Sequence, residues 1–138
     1  MPQNITTGIK ALGEQARNHI QELEVDEALK MHESGEGLIV DIRDIRELWR
    51  EGRIPGAFHA PRGMLEFWID PESPYHKDVF AEDRAYIFTC AGGLRSVFAT
   101  HVAQTMGLKP VYNLIGGFSA WKKAEAPIEP HPGAPEKK

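Results

Sequence analysis

The sequence has little cysteine and no long apolar run, and each shortage argues against a class of protein. Cys90 is the only cysteine among 138 residues, so no disulfide can form within the chain, which favours a reducing compartment. No stretch approaches the roughly 18 consecutive apolar residues that a transmembrane helix requires. No basic segment followed by an apolar segment opens the sequence, so a signal peptide is not indicated. We therefore expect a cytoplasmic protein.

An excess of positive charge is missing as well. The chain has 16 Lys and Arg residues against 20 Asp and Glu residues, a formal net charge of −4, and it contains no basic run or basic-aromatic stripe. Its six histidines lack the spacing and the cysteine companions of a metal site. The sequence accordingly predicts no nucleic-acid partner, no membrane association, no metal and no cofactor.

The length and the distribution of apolar residues predict one domain with a short segment on each side. A chain of 138 residues is long enough to bury one core. Residues 1–19 are predicted to be an N-terminal helical extension. Residues 20–126 are predicted to form the domain itself. The proline-rich segment 127–138 is predicted to be a disordered tail.

Short apolar runs alternate with helix-forming segments along the predicted domain. The predicted strands cover 20–24, 38–41, 58–60, 85–89 and 111–114. The predicted helices cover 26–31, 44–51, 63–69, 96–106 and 118–124, with Asp26 and Asp44 as N-caps. This order predicts an α/β fold with a mostly parallel central sheet of about five strands, flanked by helices on both faces. Ligands of such sheets bind beyond the carboxyl ends of the strands.

The loop that follows the buried strand 85–89 contains the strongest candidate for chemistry. It consists of Cys90, Ala91, Gly92, Gly93, Leu94, Arg95 and Ser96 and leads into a helix. A cysteine at a helix N-terminus faces unpaired backbone N–H groups and the positive end of the helix dipole, which stabilise a thiolate. We expect Arg95 to orient an anionic substrate, unless an acidic partner such as Asp41 or Glu47 holds it.

Three segments of the sequence resemble rhodanese-type sulfurtransferases. The first is the loop, in which four residues separate Cys90 from Arg95. The second is the stretch 38–43, which ends in Asp-x-Arg and is followed by a short acidic segment and the turn 52–57, Gly-Arg-Ile-Pro-Gly-Ala. The third is 111–118 with its Gly-Gly turn, followed by Trp121. The resemblance runs from about Ile20 to Pro127 and indicates a single-domain member of this family.

The resemblance implies a rhodanese-like fold and a catalytic cysteine that carries a transferable sulfur as a persulfide. Cys90 would be the nucleophile, residues 91–96 the substrate-binding loop, and Asp41 and Arg43 supporting residues. The implied partners are a small-molecule sulfur donor such as thiosulfate and a thiol or cyanide acceptor, with a protein thiol as a further candidate. The loop interior is neutral, whereas thiosulfate-specialised members have basic residues there, so the natural donor stays open.

Two other functions remain alternatives at this point. Cysteine-dependent phosphatases also use a thiolate and an arginine-anchored loop, but theirs has five residues between Cys and Arg and leaves more room for phosphate. A rhodanese-like module that binds partners without catalysis is the second alternative, although inactive members commonly lose the cysteine. Asp41 and Arg43 are also interpretable as a structural ion pair that braces the loop, and His59 is expected at the surface.

Overall fold

The computed structural model describes residues 2–135, and this range contains five strands and six α-helices. The strands are β1 Gln21–Leu23, β2 Gly37–Asp41, β3 Phe58–His59, β4 Ala85–Thr89 and β5 Val111–Leu114. The helices are α1 Ile9–Arg17, α2 Val25–Ser34, α3 Ile45–Glu51, α4 Leu65–Ile69, α5 Arg95–Met106 and α6 Gly117–Lys123. Short 3₁₀ turns lie at Arg62–Met64 and Asp78–Ala81.

The strands form one parallel sheet in the order β1-β5-β4-β2-β3, which confirms the predicted α/β class. Strands β2 and β4 are central neighbours, and every residue of both is buried. Their last residues, Asp41 and Thr89, are paired in register. The segments that follow these two residues therefore leave the sheet side by side at its carboxyl edge.

Helices cover both faces of the sheet, as predicted, because successive side chains of a buried strand point to opposite faces. One apolar cluster lies on the side of α4 and α5 and includes Val40, Phe88, Leu65, Ala99 and Ala103. The other lies on the side of α2 and α6 and includes Ile39, Ile87, Ala28, Phe118 and Trp121. Neighbouring residues of β2 and β4 thus contribute to different cores.

The start of α2 differs from the prediction. Asp26 lies in the first turn, and the N-cap is Glu24, whose N–H group donates to Glu27 Oε1 at 3.3 Å. A glutamate at this position closes a capping box with Glu27, which is a less familiar signal than the aspartate. The helix also continues beyond the predicted end to Ser34, where Gly35 stops it in the left-handed conformation.

The first helix, α1, packs against the beginning of α5. Gly13 faces this contact, and a Cβ atom there would lie only 3.1 Å from Leu94 Cδ1. The missing side chain lets α1 approach the end of the cysteine loop. A glycine that looks unfavourable for a helix in the sequence is therefore explained by close packing.

The described part of the proline-rich C-terminal segment, 127–135, makes long-range contacts with the domain. Arg53 and Glu129 exchange two backbone hydrogen bonds, of 2.8 and 2.9 Å, and Arg53 Nε donates to Glu129 Oε1 at 3.0 Å. Trp121 Nε1 donates to the Pro127 carbonyl at 2.7 Å. Composition does not reveal such long-range partners, and residues 136–138 lie outside the described range.

The contacts between the segment 127–135 and the domain should weaken in acid, because His131 stabilises this segment only while its side chain is neutral. Burial lowers the pKa of His131 below its usual 6.5, and the nearby positive charge of Arg53 and the neighbouring His59 lower it further. Gly133 N–H also donates to His131 Nδ1 at 2.9 Å, a bond that protonation of Nδ1 removes. A lowered folded-state pKa means that the contribution is complete above about pH 6.5 and is lost as the pH falls through the lowered value.

We expect the hydrogen-exchange protection of the Arg53 and Glu129 amides to be constant above about pH 6.5 and to fall between about pH 6.5 and pH 5, after correction for intrinsic exchange rates. The variant His131→Gln should show a much flatter pH dependence, because it has no proton to gain. Protection in the parent that is independent of pH over this range would contradict the role given to His131.

Candidate active site

Cys90 is the first residue after β4, and its side chain is buried, with 1% exposure. Three hydrogen-bonding groups surround its sulfur. The N–H groups of Gly93 and Ser96 donate to Sγ at 3.2 and 3.4 Å, and the Ser96 hydroxyl lies 3.4 Å from it. Ser96 belongs to the first turn of α5, so its N–H is one of the donors that the helix itself leaves unpaired. This arrangement stabilises negative charge on the sulfur.

The loop keeps this shape because the N-terminus of α6 binds its carbonyl groups from behind. Phe118 N–H donates to the Cys90 carbonyl at 2.8 Å, and Ser119 N–H donates to the Ala91 carbonyl at 2.9 Å. These bonds occupy the two carbonyls on the side of α6. We infer that they help to turn the loop amides toward the sulfur.

Gly117 makes the close approach of α6 to the loop possible. Its φ is +59°, and a Cβ atom there would lie 2.5 Å from the Cys90 carbonyl oxygen and 2.9 Å from the Ala91 carbonyl oxygen. No larger residue fits between the loop and the helix without displacing backbone. The sequence prediction treated the Gly-Gly pair as a turn, and the missed signal was the Gly-Gly pair placed directly before a helix that closes the fold.

Asn113 supports the loop from β5 and was passed over in the sequence. Its side-chain Nδ2 donates to Glu22 Oε2 at 2.8 Å and lies 3.4 Å from the Gly93 carbonyl oxygen. The residue is fully buried. An amide in the middle of a buried apolar strand was the signal that could have identified it.

Arg95 is held by Glu47 of α3 and not by Asp41. Its Nη1 and Nη2 atoms donate to the two Glu47 carboxylate oxygens, each at 2.9 Å. The hydrogen bond from Arg95 lowers the pKa of Glu47, and Glu47 in turn raises the pKa of Arg95. The structure therefore shows the geometry of the alternative named above, in which an acidic residue pins the arginine at the end of the loop.

Asp41 and Arg43 form a buried ion pair, the structural interpretation considered for them. Arg43 Nη2 donates to Asp41 Oδ2 at 2.7 Å and to the Gly52 carbonyl at 3.0 Å. Both side chains are at most 2% exposed. The guanidinium carbon lies 4.1 Å from the centre of the Phe118 ring, at the helix terminus that braces the loop.

The remaining candidate residues of the loop, Ala91, Gly92 and Leu94, are not among the groups that hydrogen-bond to the sulfur. Ala91 is half-buried, and Gly92 and Leu94 are exposed on the outer side of the loop. His59 is half-buried, in contrast to the expected surface position, because its Nε2 lies 2.7 Å from the Arg43 carbonyl oxygen.

Two further properties concern the whole described range. None of the helices within 2–135 combines the length and apolar character needed to cross a membrane. Over the same residues, His, Cys, Asp and Glu side chains nowhere gather in a group of three or more that could hold a metal ion.

Comparison with known proteins places this geometry in a family. The profile of the rhodanese-like domain matches residues 24–124. Thiosulfate sulfurtransferase GlpE of Shewanella oneidensis is 34% identical over 104 residues, which cover 75% of this chain and 94% of that protein. Human thiosulfate:glutathione sulfurtransferase is 29% identical over 99 residues, which cover 67% of this chain and 85% of that protein.

A solved structure from Rhodopseudomonas palustris CGA009 is more similar. It is 56% identical with a TM-score of 0.89 and covers 94% of this chain and 99% of that chain. That protein is described as being of unknown function and a possible tyrosine phosphatase. The match of the domain profile to most of the chain and the identity with the Shewanella enzyme agree with the observed sheet and loop. The chain belongs to the rhodanese-like domain family and is related to thiosulfate sulfurtransferases.

Proposed function

We propose that this protein is a sulfurtransferase that moves a sulfane sulfur from a donor such as thiosulfate to a thiophilic acceptor through a persulfide on Cys90. The observation that carries the proposal is the position of Cys90 Sγ between the N–H groups of Gly93 and Ser96. The related thiosulfate sulfurtransferases support the reaction class. Residues 91–96 would form the substrate-binding loop, with Asp41 and Arg43 supporting it.

In the first half of the reaction, the Cys90 thiolate attacks the outer sulfur of thiosulfate. The S–S bond of thiosulfate breaks, its electron pair leaves with sulfite, and the transferred sulfur remains on Cys90 as a persulfide. The loop amides and the start of α5 offset the negative charge of this intermediate, as the donors of an oxyanion hole do. This step is a nucleophilic displacement at sulfur, and the Cys90 thiolate is its only nucleophile.

In the second half, the acceptor attacks the outer sulfur of the persulfide and Cys90 leaves as a thiolate. Cyanide becomes thiocyanate, and a thiol becomes a persulfide. Since Cys90 is the only cysteine of the chain, no second thiol of the same chain can take the sulfur. The acceptor therefore comes from outside, as a small thiol or as a protein thiol. The human relative, named for thiosulfate and glutathione, supports a small thiol.

A cysteine-dependent phosphatase is the second candidate, because the similar Rhodopseudomonas protein is described as a possible tyrosine phosphatase. The chemistry would use the same thiolate. The four residues between Cys90 and Arg95 argue against it, since cysteine phosphatases have five there. Arg95 also has both terminal nitrogens engaged by Glu47.

Removal of the sulfur of Cys90 should abolish sulfur transfer. We expect the parent to gain the mass of one sulfur after thiosulfate treatment without reductant and to form thiocyanate from thiosulfate and cyanide. Cys90→Ser should do neither, while its circular dichroism spectrum stays that of the parent. Thiocyanate formation by Cys90→Ser at the parental rate would refute the proposal. Hydrolysis of p-nitrophenyl phosphate by the parent, lost in Cys90→Ser, would instead favour the phosphatase.

Adding one methyl group at Gly117 should damage the loop from behind. In Gly117→Ala the new Cβ atom meets the Cys90 and Ala91 carbonyls, and the alanine must keep the positive φ of the glycine. We therefore expect the free energy of unfolding to fall by about 2 to 4 kcal/mol. Persulfide formation per folded molecule should also fall by at least about tenfold, a cost of about 1.4 kcal/mol in activation free energy. Gly63→Ala is the matched control, because a Cβ atom there meets nothing within 4 Å. Parental kinetics and stability in Gly117→Ala would contradict the bracing role.

The bond between Arg95 and Glu47 should act as one unit. We expect Arg95→Ala and Glu47→Gln each to lower the free energy of unfolding by about 1 kcal/mol or less, since the pair is partly exposed. We also expect the two variants to lower kcat for thiosulfate by similar factors. The double variant should lose little more than either single variant. Thermal unfolding and steady-state kinetics would measure this. A raised KM for thiosulfate in Arg95→Ala, with an unchanged or lower KM in Glu47→Gln, would instead assign Arg95 a direct contact with the donor.

A further inference from the structure

A cavity of about 500 Å³ opens beside the cysteine loop, between α3 and α6. Its lining comes from Arg43 after β2, from Glu47, Arg50 and Glu51 of α3, from Ala91 of the loop, and from Phe118, Ser119, Lys122 and Lys123 of α6. Its volume is that of a site for a small molecule of several functional groups rather than for a single ion. Ala91, the residue next to Cys90, places one end of the cavity at the reactive loop.

The charges around this cavity leave an excess of positive groups. Arg43 is paired with Asp41, and Glu47 is paired with Arg95. Lys122 Nζ lies 3.9 Å from Glu51 Oε2, at the outer limit of an ion pair.

Two cations of the lining form no ion pair among the described residues, although the pKa of Asp44, which its hydrogen bonds with Arg46 lower most, is lowered further by the charge of Arg50. Arg50 on α3 and Lys123 on α6 have no carboxylate within 4.0 Å among residues 2–135. They lie on the two helices that form opposite walls of the cavity. This is notable in a chain whose net charge is −4, because it makes the entrance near the loop locally attractive to anions.

We propose that this cavity binds the sulfur acceptor and that the acceptor is a small thiol carrying carboxylate groups, held by Arg50 and Lys123. The inference rests on the proposed sulfurtransferase function. A guanidinium group binds a carboxylate with two parallel hydrogen bonds, and an ammonium group binds one as a point charge. The two helices could thus hold two carboxylates of one molecule while its thiol reaches the loop.

One lining residue of the cavity is Ala91, which follows Cys90 in the loop, so a bound acceptor would lie next to the loop that holds the persulfide. The thiolate of the bound acceptor attacks the outer sulfur of the Cys90 persulfide and forms a new S–S bond. The bond between that sulfur and Cys90 Sγ breaks, and its electron pair returns to Sγ as the thiolate. The acceptor leaves as a persulfide, no electrons are gained or lost overall, and the chain needs no second cysteine.

The test compares two acceptors that share a thiol and differ in their carboxylates. The probes are glutathione and its diethyl ester, with thiosulfate as donor, and the readout is the ratio of their kcat/KM values. We expect the double variant Arg50→Gln, Lys123→Gln to lower this ratio, glutathione over ester, by about five- to tenfold, the effect of two partly exposed charge contacts. A change in the rate at which thiosulfate loads Cys90 affects both acceptors equally, so it cancels in this ratio. Lys30→Gln, a removal of one exposed charge on α2 away from the cavity, should keep the parental ratio.

A second measurement does not depend on turnover. S-methylglutathione, which cannot accept sulfur, should bind the parent in a salt-dependent manner, measured by NMR titration, and should bind the double variant several-fold more weakly. Equal losses for glutathione and its ester, or equal binding of S-methylglutathione by parent and double variant, would overturn the acceptor site. Failure of thiosulfate to load Cys90 would refute the sulfurtransferase function. The S-methylglutathione titration would still show whether Arg50 and Lys123 bind carboxylates.

Discussion

The geometry of the site depends on the hydrogen bonds that run from the start of α6 to the back of the cysteine loop. Phe118 and Ser119 donate their N–H groups to the carbonyls of Cys90 and Ala91. A short loop that must aim several amides at one sulfur needs somewhere else to direct its carbonyls, since buried backbone groups rarely stay unpaired. Gly117 provides the space for this contact, because any side chain would collide with the same carbonyls.

The buried pair of Asp41 and Arg43 links that brace to the centre of the sheet. Arg43 contacts the ring of Phe118 and the Gly52 carbonyl, so it joins the end of β2, the end of α3 and the start of α6. An ion pair of this kind is costly to break from one side, because the remaining charge stays buried. We propose that this pair positions the loop, whereas the Gly93 and Ser96 amides and the Ser96 hydroxyl contact the sulfur itself.

The surroundings of the sulfur and the cavity beside the loop differ in electrostatic character. The first suits the persulfide on Cys90, and the second suits an anionic acceptor in the second half of the proposed reaction. Around the sulfur, charge is offset by neutral donors, while Arg95 is occupied by Glu47. Beside the loop, Arg50 and Lys123 have no carboxylate partners among the described residues and border a cavity. Selectivity for the acceptor would then come from α3 and α6, which are outside the loop motif that defines the family.

The sequence by itself determined the α/β sheet, the boundaries of β4 and β5, and Cys90 at the start of a helix. These features are local, since hydrophobic periodicity, caps and glycine turns are written in neighbouring residues. The partner of Arg95, the bracing role of Gly117, the cap at Glu24 and the docking of Glu129 on Arg53 were decided by tertiary structure. Glu47 and Arg95 are 48 residues apart, and Arg53 and Glu129 are 76 apart. Only the packing of the elements brings such groups together, because no local pattern encodes which distant side chain will lie within hydrogen-bond reach.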